Sequence, residues 1–369
     1  MLKRITTIIV SIVAVAAIVC AYGGYVRPAE SLAGKLAPLA VMAWPVVALL
    51  LVILTAFAAI IKSRGWIPGV AAIGICFVPL ATICPVHLLS GEVPPGSREI
   101  KLLTFNVMGF KGYDDEQPLH SDRGNNVLSF IISRDADVVC LQEADTRLRA
   151  GRYGMSEAQI DTLRAMYPYI IYRSEGALEV LSKFPAKFFS IPKAGAYSRY
   201  PYMGAILDID GVEVALANCH LESIGLNGED KQAYEEMTDG DARREALSRI
   251  HHSAIGKLNA AFRQRAAQVD SIIATVDTIP VRASIVCGDF NDVPLSYAIR
   301  SLEHVGFTPV YPATGLGPAV TYHANKFYFR IDHILTRGPI EPISVRIFRN
   351  GLSDHYAMEA TLAIVTSHQ

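Results

Sequence analysis

Three short segments near the C-terminal end of the chain carry acid, amide and imidazole groups: Gly288–Asp292 (GDFND), Arg330–Leu335 (RIDHIL) and Ser353–His355 (SDH). Each polar group follows or interrupts an apolar, β-like run, which is how a rigid sheet presents chemistry at its rim. Upstream, Asn106 (TFNV), Glu143 (LQE) and His220 (NCHLES) stand in matching contexts. A carboxylate that holds an imidazole lets it exchange protons near neutrality. Further carboxylates and an amide oxygen suit a hard divalent cation. Together these are the requirements of phosphoester hydrolysis, in which little covalent work falls to the protein and much charge must be neutralised.

Side chains alternate along a strand, so spacing predicts which groups converge. Ile285, Cys287, Asp289 and Asn291 fall on one face, as do Ile100, Leu102 and Asn106, and Leu216, Asn218 and His220. The same count places Glu143 with Val139 and Leu141, and sends His333 to the face opposite Asp332. His120, His251, His252, His304 and His323 have no partnered context. Cys140, Cys219 and Cys287 sit inside strand-like runs and read as small buried hydrophobes, since no CxxC or Cys/His metal spacing exists.

The set TFNV, LQE, LSKFP, NCHLES, GDFND, RIDHIL and SDH resembles the endonuclease/exonuclease/phosphatase (DNase I-like) superfamily, and the chain is similar to a membrane-anchored bacterial member of it. The resemblance covers about residues 100–365. It implies an α+β fold, a four-layer αββα sandwich, and a metal-dependent phosphoric ester hydrolase using Mg²⁺ or Mn²⁺. It further implies Glu143 as the main metal ligand, helped by Asn106, with Asp354 a further one. Asp289 would position or deprotonate the attacking water, and Asn291 would steady a phosphate oxygen. His355 would be the catalytic imidazole and Asp332 its orienting carboxylate. His220 would protonate the leaving group or bind the phosphate. DNase-like members pair this second histidine with an acid from the LSKFP segment, where this chain has Ser182 and Lys183. Arg199, Tyr200 and Tyr202 precede a strand where members present phosphate contacts.

The elements that must position these groups alternate in type. Strands are expected over Ile100–Val107, Ala136–Gln142, Ala177–Ser182, Gly204–Ile209, Val212–His220, Ser284–Gly288, Phe329–Thr336, Ile343–Phe348 and Ala357–Ile364. Helices are expected over Gly124–Arg134, Ser156–Met166 and Ser296–Val305, with two more within Asp241–Val276. The stretch 224–265, acidic then basic, reads as a helical insertion or substrate wall.

Charge divides the chain. Overall there are 34 Lys and Arg against 35 Asp and Glu; residues 1–90 hold six basic residues and one acid, leaving 28 against 34 beyond. Apolar runs over 5–22, 36–61 and 69–89 approach or exceed the roughly 20 residues a bilayer requires, and predict three membrane spans. Residues 91–98 (GEVPPGSR) form the linker, and 99–369 the catalytic domain. Lys3 and Arg4 before the first span, and Lys62 and Arg64 between the second and third, point to the cytoplasm. The chain then reads as an integral cytoplasmic (inner) membrane protein whose catalytic domain lies outside, in the periplasm of a Gram-negative cell. The short tether and acidic body favour a phospholipid headgroup or small phosphoester over nucleic acid, which rewards a basic groove. The rival readings are a DNase-like nuclease and an inactive membrane-bound binding module; the latter is disfavoured because Asn106, Glu143, Asp289 and His355 are all retained.

Overall fold

A computed structural model describes residues 1–112, 120–121, 124–144, 148–192, 201–224, 244–324 and 327–365. Fourteen strands form within them: β1 (Ser97–Asn106), β2 (His120–Ser121), β3 (Gly124–Asn125), β4 (Val138–Gln142), β5 (Tyr169–Arg173), β6 (Leu178–Ser182), β7 (Ala186–Phe189), β8 (Tyr202–Ile209), β9 (Val212–His220), β10 (Ala283–Asp289), β11 (Thr308–Pro309), β12 (Asp332–Arg337), β13 (Ile340–Phe348) and β14 (Ala357–Val365). Twelve of them build two six-stranded sheets, ordered β13-β14-β1-β4-β6-β5 and β11-β12-β10-β9-β8-β7.

Alternation along the central strands makes the layers. Ile100 and Leu102 of β1, Leu216 of β9, Ile285 and Cys287 of β10 and Met358 of β14 meet in the core between the sheets. The intervening side chains face outward. Leu103, Phe105, Val139 and Leu141 are covered by Leu128, Ile131 and Leu163 of helices Asn126–Arg134 and Glu157–Met166. Ala217, Val286 and Leu335 are covered by Val269, Ile272, Ile299 and Leu302 of helices Arg244–Val276 and Tyr297–His304. Helix, sheet, sheet, helix is the expected αββα sandwich. Local signals fix the helix starts. Asn125 accepts from Leu128 N, and Ser156 and Gln159 form a reciprocal capping box.

One local expectation fails. The region expected to hold two helices carries a single one, Arg244–Val276. It runs through Gly256, whose backbone has open space around it, at a propensity cost of only about 1 kcal/mol. The third apolar stretch is not one straight helix. Trp66–Ile75 and Phe77–Ile83 are bent by 63° at Cys76. Helices Leu2–Tyr22 and Leu32–Ile60 are long and apolar enough to cross a membrane, and the bent pair makes up to three. The 21 residues of the first rise about 32 Å, close to a hydrocarbon core.

Candidate active site

Sheet register brings three of the sequence-derived residues side by side. Asp289, the last residue of β10, pairs with His220, the last of β9, and with Asp332, the first of β12. On the facing sheet β1 ends at Asn106, which pairs with Gln142 of β4. The two rims oppose one another, so side chains from both sheets meet there.

His355 is the most constrained member. Its Nδ1 lies 2.9 Å from Asp332 Oδ2, and its Nε2 lies 3.5 Å from Asp289 Oδ2. The ring of Tyr322 packs on it edgewise at 5.0 Å. Burial opposes a charge on this ring. The Asp332 and Asp289 carboxylates, the Asp332 hydrogen bond and Asp354 outweigh that opposition and push His355 up to about 10. The two carboxylates therefore favour the charged form of the ring. Asp289, Asp332 and His355 also form a compact cluster, with one ligand-type atom of each within 4.8 Å of the others.

Asn106, buried on β1, donates from Nδ2 to Glu143 Oε1 at 3.2 Å and to Asp289 Oδ2 at 3.1 Å, while its Oδ1 accepts from Met108 N. His220 Nε2 lies 3.8 Å from Glu143 Oε1 and 3.7 Å from Asp289 Oδ2. Asp354 is pushed upward, chiefly by burial and also by Glu143 and Asp289, while the His355 charge pulls the other way. All eight candidates, apart from Asn291 in one respect described next, thus face one rim.

Strand alternation placed two of them wrongly. Glu143 follows β4 and was counted with Val139 and Leu141, which lie under the outer helices. Its φ of +55° leaves the strand path and turns the carboxylate back to Asn106 and His220. The turn is held by Gly109 N donating to Glu143 O. Asn291 has φ +50°, so it does not continue the face of Asp289. Its N–H donates to Asp289 Oδ1 at 2.8 Å, and its Nδ2 donates to Leu221 O at 3.0 Å. Left-handed backbone at non-glycine residues costs on the order of 1 kcal/mol or more each, and it gathers where a site demands a direction the regular structure cannot supply.

Ser182 and Lys183 also stand elsewhere than expected. β6 runs antiparallel to β4, with Val138 opposite Ser182, so both residues lie at the end remote from His220. Lys183 pairs there with Asp135 and Asp137. His333 is structural as expected: it is buried, packs on Phe290, bonds Asp292 O, and is pushed down to about 3 by burial first and by Arg330 second. The five cysteines Cys20, Cys76, Cys140, Cys219 and Cys287 are free and buried, and Cys84 is free and exposed. Tyr202 is buried with its hydroxyl donating to Pro192 O. Arg199, Tyr200 and residues 225–243 of the insertion lie outside the described residues.

Sequence reasoning missed the residues that lock the rim. Asn218 Nδ2 crosses between the sheets to Leu141 O and Glu179 O, each at 3.0 Å, and its Oδ1 accepts from Gln142 Nε2 at 2.7 Å. Ser353 Oγ donates to Asn106 O at 2.7 Å, joining the SDH loop to β1. Thr321 Oγ1 accepts from the backbone N–H of Ile331 and Asp332. Gln142, Asn218 and Ser353 stood inside the quoted motifs, but nothing local announces a bond to a strand far along the chain.

A sequence model of the Endonuclease/Exonuclease/phosphatase family matches residues 103–355. Among solved structures, the chain is similar to an endonuclease/exonuclease/phosphatase from Beutenbergia cavernae, at 17% identity, covering 72% of each chain with a TM-score of 0.46. It is also similar to truncated Caenorhabditis elegans TDP2, at 19% identity over 72% of this chain and 97% of that one, TM-score 0.43. A family protein from Leptotrichia buccalis matches at 14% identity, over 71% and 99%, TM-score 0.46. No curated protein matches the chain.

Proposed function

The chain belongs to the endonuclease/exonuclease/phosphatase family, and from that premise we propose that it is a membrane-anchored, divalent-metal-dependent phosphoesterase acting on a lipid-linked or small phosphoester. The observation that carries the reading is the convergence of Asp332–His355, Asp289, His220 and Asn106–Glu143 at one rim of two sheets.

The donor set fits a hard divalent cation. Asp354 is pushed upward by burial first and then by the nearby Glu143 and Asp289 carboxylates. Oxygen donors of this kind suit Mg²⁺ or Mn²⁺. Glu143 and Asp354 would hold it, with Asn106 orienting Glu143 and Asp289 through its Nδ2 rather than ligating, and it would supply positive charge to a phosphoryl oxygen. Asp289 Oδ2 lies between the two histidines and is placed to orient and deprotonate water. His355 faces it with Nε2 while Asp332 holds Nδ1, which fixes the ring and stabilises its charged form. His220 is the group placed to protonate the leaving oxygen. One amide hydrogen of Asn291 remains for a phosphate oxygen after the bond to Leu221 O.

Position supports the choice of substrate. Leu295, six residues after Asp289, packs in the cluster of the N-terminal helices, and Arg330, two before Asp332, donates to Thr82 O, which favours a site close to the membrane. Basic residues at Lys3, Arg4, Lys62 and Arg64 lie at the opposite end of those helices, which favours an extracytoplasmic catalytic domain; a C-terminal reporter active only in the cytoplasm overturns that orientation. For substrate, the purified full chain is assayed with Mg²⁺ and Mn²⁺ on a lipid-linked phosphoester in detergent and on plasmid DNA. The expected result is hydrolysis abolished by EDTA, with the larger kcat/KM on the lipid-linked ester. Full activity in chelator sinks the metal mechanism, and a preference for DNA of about tenfold, ~1.4 kcal/mol in transition-state binding, restores the nuclease reading.

A further inference from the structure

The N-terminal helices do more than hold the domain at the end of a flexible linker. Just before that linker, Val86 bridges Leu316, His87 N donates to Gly315 O, and at its start Gly91 N donates to Ile343 O. The deeper contacts fall on the two segments that carry the catalytic acids. After Asp289 the chain runs through Asp292, held by Arg265 Nε at 3.1 Å, to Leu295. Leu295 is 1% exposed and belongs to the hydrophobic cluster of the N-terminal helices, with Cys20, Ala21, Val41 and Trp44. Gly24, in the turn between the first two helices, lies so close that an added Cβ would overlap the Leu295 carbonyl oxygen. Before Asp332, the buried Arg330 donates from Nη2 to Thr82 O, on the last turn of the bent third stretch, at 3.0 Å. Its guanidinium stacks 4.4 Å over Tyr311, and its Nε and Nη1 have no hydrogen-bond partner among the described residues. The two segments are also joined to each other, by Phe290 N donating to Ile331 O and by His333 Nε2 at Asp292 O.

We propose that the N-terminal helices are a working part of the active site: Leu295 and Arg330 are positioning residues through which the docked helices hold Asp289 and Asp332 in register. Neither touches the reacting groups. Each is buried against the helices within six residues of an acid whose direction matters, and displacing a catalytic group by about 1 Å costs as much as 10²-fold in rate. The exposed ion pairs at the margin, Arg27–Asp270 and Arg263–Glu30, add little to this. Undocking therefore lowers turnover, and does so on any substrate, soluble ones included.

The turnover arm of the test rests on the phosphoesterase reading; the exchange arm does not. Full-length protein in nanodiscs is compared with Gly24→Val, which wedges the interface from the helix side and leaves the catalytic domain's own sequence intact. A second variant, Leu295→Ala, removes packing without adding bulk. The probe is bis-p-nitrophenyl phosphate with Mn²⁺, a soluble ester that needs no bilayer. The expected outcome is a fall in kcat of about tenfold with KM within about twofold, and faster hydrogen exchange confined to 289–296 and 330–333 while β1 and β9 stay protected. Unchanged exchange in both variants refutes the clamp. Faster exchange with wild-type kcat refutes the positioning role. If the wild-type protein cleaves no phosphoester, the functional reading fails by itself, and exchange still decides whether the helices hold these segments.

Discussion

Replacing Asn218 by alanine tests whether the polar bridge between the sheets holds the rim together. Asn218 is fully buried on β9, two residues before His220, and its amide reaches β4 and β6 of the other sheet. Removal leaves Leu141 O and Glu179 O without that donor. It also strips Gln142 Nε2 of its shortest acceptor, although Thr104 Oγ1 and Cys140 O remain to it at 3.1 and 3.2 Å. Each buried polar group left unsatisfied costs about 1–3 kcal/mol. Carbonyls keep a second lone pair for the sheet ladder, so the lower half of that range applies, and the sum is about 3 kcal/mol. In a domain of this size that lowers Tm by roughly 6–12 °C. Since β4 and β9 carry Glu143 and His220, kcat should fall more than KM rises. Thermal unfolding of the full chain by circular dichroism measures the first effect, and turnover of a soluble phosphodiester the second. Asn218→Asp sharpens the comparison, because it keeps an acceptor for Gln142 but has no donor and adds a buried charge. It should be less stable than the alanine variant. An alanine variant within about 1 kcal/mol of wild type, or an aspartate variant as stable as wild type, would refute the reasoning.

Glu179 on β6 is buried and is pushed up to about 8 by that burial, from an ordinary 4.5. The folded state thus keeps a proton that the unfolded chain releases between about pH 4.5 and 8, so stability falls as pH rises through that window and levels off above it. Glu179→Gln should raise Tm by several degrees at pH 9 and hardly at all at pH 4, as differential scanning calorimetry would show; the same gain at both values contradicts this origin. Asp332→Asn should lower kcat on the order of 10³-fold by removing the carboxylate that orients His355 and stabilises its charged form, and His355→Ala by at least as much, with KM little changed. Turnover near wild type in either variant would leave the pair a purely structural role.

What could be read in the sequence follows from how far each determinant reaches along the chain. β9 and β12 place His220 and Asp332 on the expected faces, because those residues lie within regular strands where a period of two decides direction. Glu143 and Asn291 were misaimed because they sit one and two residues beyond their strands, where a single φ above zero reverses the count. β5 and β7 were not recognised at all. Both are short strands at sheet edges, and Tyr169, Ile170 and Phe188 stay partly in solvent, so no apolar alternation marks them.

The site's rigidity was illegible for a different reason. Asn218 bonds strands 39 and 77 residues away, Ser353 bonds a carbonyl 247 residues away, and Arg330 bonds Thr82 across 248. None of these contacts has a local signature, since a buried Asn, Ser or Arg is spelled like an exposed one. The rim also concentrates unfavourable backbone: Met108, Phe110, Glu143 and Asn291 all adopt positive φ within the segments that frame it. Such conformations persist only where surrounding structure over-determines them. Here Gly109 N donating to Glu143 O, and the Asn291 bonds to Asp289 Oδ1 and Leu221 O, supply that restraint. Contacts between segments far apart in the chain, which a sequence conceals, therefore help Glu143 and Asn291 depart from the regular path and face the chemistry.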